Sequence, residues 1–419
     1  MTQSDCLPLL VIGAGIAGVT AALEAAEGGA NVVVVERDSS IGGRVLRSHH
    51  YFPKLCPPSC GMEINVRRIE RSPRVRVLTS SRVTKAERTA SGWSVTITSD
   101  PAYVNDRCTA CGECSKVCTT EVPDPFNLGM KKVPAIRLPQ ANAWPRRFVF
   151  DRKACADDVA RKCVEACAYN AIDLDAKETS QTLEVGAIVV ATGWKPYPIE
   201  RLTELGGGVY EDVIANVQME RLASSLGPTE GKILRPSNGQ APQRVAFVQC
   251  AGSRDVNHLP YCSGVCCLAS LKQMLYVHEQ LPEAQVAMYY IDRRTPGRNE
   301  DMLMRVAAIE GMRLVKGKVG KIERDRDGSL TLKVEDVEAG RILTEKADLV
   351  VLATGMVPNA REDGLGVAVE ADEDGFVYDD FEARISVAGV ARAPVDVATS
   401  VRDATGAAAR AWAAAARRA

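Results

Sequence analysis

The sequence predicts an α/β protein made of two strand–turn–helix nucleotide-type units, with a cysteine-rich insertion in the first. Three observations carry the prediction. Leu9–Gly18 reads LLVIGAGIAG, a strand running through a glycine-rich turn into a helix. A second such unit opens at Arg244–Val248, after a stretch crowded with Pro, Gly and Ser. Between the two, residues 101–178 trade long helical patterns for cysteines and prolines.

Bulk properties bound the reading. A chain of 419 residues is long enough for two or three domains. Its 46% hydrophobic and 25% charged content is that of a globular protein. A net charge of −1 gives no electrostatic case for nucleic acid or an anionic membrane face. The longest apolar runs, Leu7–Gly18 and Gly186–Gly193, are strand-sized, so no membrane span is expected. No secretory signal is legible at the N-terminus, and a cytoplasmic location follows as an expectation. The 14 cysteines are then unsuited to disulfides, and their clustering points to metal. His49, His50, His258 and His278 lack ligand spacing and read as surface or core residues.

Taken in order, the helix after the first turn runs through TAALEAAEGGA, and Asn31–Glu36 (NVVVVE) is the next strand. Val75–Leu78 and Trp93–Thr98 read as short strands. After the insertion the sheet resumes at Gly186–Gly193 (GAIVVATG), and Gly227–Pro242 reads as a linker. Gln285–Ile291 continues the second unit, and residues 319–334 read as a hairpin around Asp327-Gly328. Ala347–Gly355 (ADLVVLATG) echoes the earlier VVATG. Ser386–Val390 is a last strand, and Ser400–Ala419 an Ala-rich helix read as solvated or partner-docking. The expected domains are 1–100, 179–240 and 346–419 for the first unit, 101–178 for the insertion and 241–345 for the second unit.

Gly13, Gly15 and Gly18 form G-x-G-x-x-G between strand and helix. The first permits the tight turn, the second lets backbone approach a pyrophosphate, and the third packs helix on strand. The loop Gly13, Ala14, Gly15, Ile16, Ala17 and Gly18 then offers free N–H groups and a helix dipole to phosphate. Glu36 ends the second strand, placed to accept from a ribose hydroxyl, with Arg37 beside it. FAD is preferred over NAD on three features. Gly42, Gly43 and Arg44 follow the acid closely; ATG occurs at Ala191, Thr192, Gly193 and again at Ala353, Thr354, Gly355; and Gly389 leads to a late helix whose N-terminus can face a flavin ring. Val83 is a further candidate contact. The pattern resembles the two-dinucleotide-binding-domain flavoproteins, the thioredoxin and glutathione reductase group.

The second unit departs from that pattern. After Arg244–Gln249 comes Cys250-Ala251-Gly252-Ser253-Arg254 in place of a glycine loop, so NAD(P)H is not expected there. Instead Cys250, Cys262, Cys266 and Cys267 can ligate an iron–sulfur cluster, with buried thiols or a vicinal disulfide as the plainer alternatives.

In the insertion, Cys108, Cys111, Cys114 and Cys118 give C-x2-C-x2-C-x3-C, the ferredoxin-like run in which the last cysteine serves the other cluster. Zinc is the main alternative, but it favours C-x2-C pairs split by a longer loop. The second run, Cys155, Cys163 and Cys167, is irregular, because a regular one needs cysteines at 160 and 157, where Ala160 and Asp157 stand. By that logic one [4Fe-4S] cluster takes Cys108, Cys111, Cys114 and Cys167. The other takes Cys118, Cys155 and Cys163, with Asp157 or Asp158 as fourth ligand, or is three-iron, water-ligated or absent. Two to three clusters are expected in all. Cys56 and Cys60 flank Pro57-Pro58-Ser59 in a Pro-rich loop after the GG motif, a possible redox pair or an inert one. Cys6 reads as incidental.

The segments LCPPSCGMEI, CTACGECSKVC, VATGWKPY, MERLASSLGPTEGKILRPS and VQCAGSRDVNHLPYCSGVCCLASLKQ resemble the A subunit of quinone-interacting membrane-bound oxidoreductase complexes. That protein is itself similar to the flavin subunit of heterodisulfide reductase (HdrA). The resemblance implies a FAD and iron–sulfur subunit, peripheral to the inner face of the cell membrane. It would work with adenylylsulfate reductase, a second HdrA-like flavoprotein and a membrane haem/Fe–S subunit, between the quinone pool and sulfur metabolism. A heterodisulfide-reductase-type complex is the alternative.

Overall fold

A computed structural model describes residues 6–52, 55–361 and 364–416. Its first sheet has five strands in the order Ile385–Val387, Ala187–Val190, Leu9–Ile12, Val32–Val35, Val75–Leu78. All pairs are parallel, with Leu9 opposite both Val32 and Ala187. The central strands are runs of Val, Ile, Leu and Ala because both faces are covered. Helices Ile16–Glu27 and Val397–Ala416 cover one face, burying Val11, Leu23, Ala404 and Ala407. On the other lies an antiparallel sheet of Ser81–Arg88, Trp93–Ser99 and Thr179–Val185, packed through Ile97, Val95, Val33 and Ile188.

The insertion leaves and rejoins at one place. Ser99 pairs with Thr179, so residues 100–178 grow from the end of a single antiparallel strand pair. They carry two small strand pairs and the helices Glu113–Val117 and Asp157–Glu165. Their own core includes Ile136, Phe150, Ala160 and Cys163.

The second sheet has seven strands in the order Val213–Ala215, Leu349–Thr354, Arg244–Ala251, Gln285–Tyr290, Met312–Arg324, Leu330–Asp336, Arg341–Ala347. Trp194–Pro196 and Met356–Pro358 run antiparallel as the two crossings between the units.

Several expectations shift. Val213–Ala215 and Leu349–Thr354 belong to the second sheet, so the boundaries expected at 240/241 and 345/346 fall inside the second unit. Gly227–Pro242 is therefore an internal loop of that unit, pinned by buried Ile233 and its N–H to Gln280. The last strand ends at Val387, and Gly389–Ala391 is a 3-10 turn. The terminal helix starts at Val397 and is neither solvated nor free: its alanines lie on the helix Ile16–Glu27, close enough that a Cβ on Gly28 would meet the Trp412 ring at 2.6 Å. Residues 417–419, expected in that helix, lie outside the described residues.

Candidate functional site

At the first strand–helix turn, Gly13 adopts φ +100 and a Cβ there would sit 2.5 Å from the Ala191 carbonyl oxygen. At Gly18 a Cβ would fall 1.8 Å from the Gly13 carbonyl oxygen, so helix and turn approach as only glycine allows. Gly15 is different: a Cβ there would meet nothing within 4 Å. The two outer glycines serve the protein's own packing, and the middle one leaves space at the helix N-terminus for a phosphate. Gly43 lies against this loop, since its Cβ would come 2.9 Å from the Gly15 Cα.

Glu36 reaches back to the turn. Its carboxylate accepts from the Ala14 N–H at 2.6 Å and the Asp38 N–H at 2.8 Å. Burial raises its pKa, and these N–H donors oppose the rise. It is thus an acceptor fixed at the ribose end of the expected FAD site. Arg44 donates from Nε to the Trp194 carbonyl at 2.7 Å and stacks over the Trp194 ring, while burial lowers its pKa to about 10. It joins the GG segment to the first crossing strand. Thr192 and Gly193 lie at the start of that crossing, where Asn359 donates to the Thr192 carbonyl. Val83 is buried, and Gly366 packs against its carbonyl. Gly389 takes φ +64 and donates its N–H to Asp403. Ala353, Thr354 and Gly355 end a strand of the second sheet, not the first. Gly355 faces the cysteine loop, where its Cβ would strike Ser253 Oγ at 2.3 Å.

The fold gathers the cysteines into groups. Cys108, Cys111, Cys114 and Cys167 line one cavity. The thiols near Cys163 are Cys118, Cys155 and Cys114, and burial first, then these neighbours, push Cys163 up to about 12. Cys266 is pushed up by burial and by Cys267, Cys250 and Cys262. Such buried thiols stay protonated unless a metal replaces the proton. Among the described residues no three His, Cys, Asp or Glu side chains converge on a single metal ion. A four-iron cube makes a different demand, one thiolate on each of its irons, and the grouped thiols match that donor chemistry.

In the second unit Cys250, one residue before its strand ends at Ala251, takes a left-handed conformation, φ +55. Residues 252–265 then loop out before the helix Cys266–Gln280 begins on the vicinal pair. Cross-ties hold this loop: Tyr261 donates to the Met356 carbonyl at 2.7 Å, Ser263 accepts from the Met356 N–H, and Arg254 pairs with Asp292 at 2.6 Å. The expected C-x3-C loop is only half a loop. Cys56 pairs in an isolated bridge with Tyr51, whereas Cys60 sits in the first turn of the helix Ser59–Arg71. Pro57 and Pro58 suit a helix start, a signal the sequence already held. Neither cysteine is in a disulfide.

A buried polar joint carries no signal in the sequence. Glu220 and Lys272, on two helices of the second unit, form an ion pair at 2.9 Å where that unit meets the first. Gln273 and Tyr276 donate to Glu220, the His49 N–H donates to it at 2.9 Å, and Lys272 also donates to the His50 carbonyl. Next along the helix, buried Arg221 donates to Asn127 of the insertion and to the Arg47 carbonyl. The motif MERLASS thus ties both units and the insertion together at one point.

A family model described as FAD dependent oxidoreductase matches residues 8–56. The A subunit of the H(2):CoB-CoM heterodisulfide,ferredoxin reductase of Methanothermobacter marburgensis is 33% identical over 96% of this chain and 63% of its own length. An iron-sulfur A subunit of the CoB–CoM heterodisulfide reductase of Methanopyrus kandleri is 36% identical over 96% of this chain and 63% of its own. The A subunit of the ferredoxin:CoB-CoM heterodisulfide reductase of Methanosarcina mazei is 36% identical over 85% of this chain and 45% of its own. The chain therefore spans between roughly half and two thirds of these relatives. Thioredoxin reductase of T. acidophilum superposes with TM-score 0.51 at 13% identity, covering 97% of this chain and 98% of that one. That of Lactococcus lactis gives 0.52 at 14%, covering 98% and 99%. At such identity the likeness speaks for the fold alone. The relatives carry the heterodisulfide reductase name, so they support the second of the two resemblances drawn from the sequence and not the quinone-linked one. This chain thus carries a nucleotide turn matched by the FAD dependent oxidoreductase model, shares the fold of thioredoxin reductases, and is similar over most of its length to the A subunits of heterodisulfide reductases.

Proposed function

We propose that this chain is the FAD and iron–sulfur electron-transfer subunit of a heterodisulfide-reductase-type complex. The observation that carries the reading is the second strand–helix unit, where Cys250, Cys262, Cys266 and Cys267 stand in place of a nucleotide loop. When bound, FAD supplies two-electron chemistry and the clusters one-electron chemistry. The chain's own residues bind and orient these groups. N–H groups at Gly15 and beyond receive the pyrophosphate, Glu36 accepts from the ribose, and Arg44 holds the GG segment against the crossing strand. Each thiol would release its proton to solvent as its thiolate binds iron. No reductant site for NAD(P)H is needed, because donor and acceptor lie on partner subunits.

A second reading, the quinone-linked complex of sulfur metabolism, is favoured by the Leu55–Gly61 loop LCPPSCG and by MERLASSLGPTEGKILRPS. Its partners would be adenylylsulfate reductase, a second HdrA-like flavoprotein and a membrane haem/Fe–S subunit. Among the described residues no helix is long and apolar enough to cross a membrane. Native co-purification separates the two: a thiol–disulfide subunit supports the first, a haem subunit the second. Iron and acid-labile sulfide per flavin, measured after anaerobic purification, test what both share. About 8 to 12 irons per FAD are expected, and iron-free protein that resists reconstitution would sink both.

A further inference from the structure

The insertion carries seven cysteines: Cys108, Cys111, Cys114, Cys118, Cys155, Cys163 and Cys167. Two four-iron cubes take four external ligands each. One site therefore lacks a thiolate, and the structure indicates which. Cys114 faces Cys108, Cys167 and Cys111, and these four line a single cavity, so the first set is complete. The second set, Cys118, Cys155 and Cys163, is buried and has three members.

The two carboxylates that could complete it do not. Asp157 is paired with Arg152, and its side chain is 69% exposed. Asp158 is exposed as well. Both open the helix Asp157–Glu165 on its solvent side, whereas Cys163 and Ala160 share the buried side. Ala160 stands one turn before Cys163, where a regular run would place the missing cysteine, and is fully buried. It offers a methyl group. Among the described residues, the oxygens that hydrogen-bond these thiols belong to Thr120, a neutral hydroxyl beside Cys155 and a carbonyl 3.5 Å from Cys118 Sγ. Neither is an anionic donor that could replace a thiolate.

We infer that Cys118, Cys155 and Cys163 form a three-thiolate site for a three-iron, four-sulfide cluster, beside a four-iron cube on Cys108, Cys111, Cys114 and Cys167. A three-iron cluster is a cube without one iron corner, so three thiolates satisfy every iron it holds. The inference rests on the iron–sulfur reading above, and it fixes which cluster differs and why.

The test is electron paramagnetic resonance of the full chain, purified anaerobically and oxidised with a mild one-electron oxidant. The expected result is a three-iron signal of about one spin per flavin, alongside reduced four-iron signals after dithionite. It should survive anaerobic incubation with ferrous iron and a thiol. Ala160→Cys should abolish it and add one iron per flavin. Should that variant not fold, Cys155→Ser should remove the three-iron signal and leave the four-iron signals. Asp157→Asn should change nothing. An oxidised protein without the signal at about 12 irons per flavin overturns the inference, as does loss of the cluster in Asp157→Asn. Quantitative loss of the signal with ferrous iron would mark a damaged cube and overturn it too. Iron-free protein after reconstitution instead overturns the underlying reading, which keeps the two failures apart.

Discussion

The two strand–helix units share one frame and fill it with opposite chemistry. In the first, Leu9–Ile12 turns through three residues into the helix Ile16–Glu27, with Gly13 and Gly18 required by close packing and Gly15 facing open space. In the second, Arg244–Ala251 is followed by residues 252–265 before Cys266–Gln280 begins. The helix N-terminus points its free N–H groups at the same place in both. A tight glycine turn lets an external anion reach those donors. A long loop closed over the helix by Tyr261 and Ser263 puts the protein's own thiols there. A helix N-terminus favours negative charge of either kind, phosphate or thiolate. On the function proposed above, one backbone plan would serve a soluble cofactor in one unit and a resident cluster in the other, the loop making the difference.

The largest effect that separates the two halves is expected from Gly15→Val. Its Cβ meets nothing in the protein, so folding should be unharmed, but the branched side chain fills the phosphate's approach. Flavin absorbance should vanish while the iron content stays. Retained stoichiometric flavin would show that the open space at Gly15 has no part in binding. Next comes the mirror experiment. Cys266→Ser should remove about four irons per chain and leave flavin at one per chain. Unchanged iron would break the comparison, since the second unit would then hold only buried thiols.

The joint between the halves comes third. Lys272→Met strands the Glu220 carboxylate, which is buried at the unit boundary. Breaking such a pair costs about 3–5 kcal/mol, against little or no net loss when both charges go. Denaturant midpoints should therefore fall for Lys272→Met and recover in part for Lys272→Met combined with Glu220→Gln. Equal losses in single and double variants would place the destabilisation in packing and not in the stranded charge.

How much of this was legible in the sequence follows the range of the interactions. The first unit could be read because its signals are local: glycines three and two apart, an acid at the end of the next strand, a buried run of Val32–Val35. The run Cys108, Cys111, Cys114, Cys118 stood out because its spacing is also local, and Cys167 reaches the same cavity from the far end of the insertion. The strand order could not be read. Val213–Ala215 follows the first sheet in sequence yet pairs beside Leu349–Thr354, a partner supplied by the chain's second crossing. The terminal helix read as solvated or partner-docking because its own sequence names no partner; small residues are what let it lie close on the helix Ile16–Glu27. Nor could Glu220, Arg221 and Lys272 be read as buried, since charged side chains ordinarily mark a solvent face. Their partners come from three distant segments, and only folding brings these together.

The smallest effect concerns the histidines at that joint, and its sign follows from burial. His49 stacks on His50 at 3.9 Å, and burial, then His50, hold its pKa down to about 4, with Lys272 and Arg221 adding to the fall and Glu220 opposing it. His50 is lowered in the same direction. In the unfolded chain a histidine titrates near 6.5. Between these values the unfolded state binds a proton that the folded state refuses, so stability is full above about pH 6.5 and falls as pH drops toward 4. His49 is only half-buried, and solvent screening reduces the loss to roughly 1 kcal/mol at pH 5. Thermal melts at pH 7.5 and 5 should differ by less in His49→Gln than in the wild type. If the acid loss is undiminished in that variant, protonation of His49 is not its source.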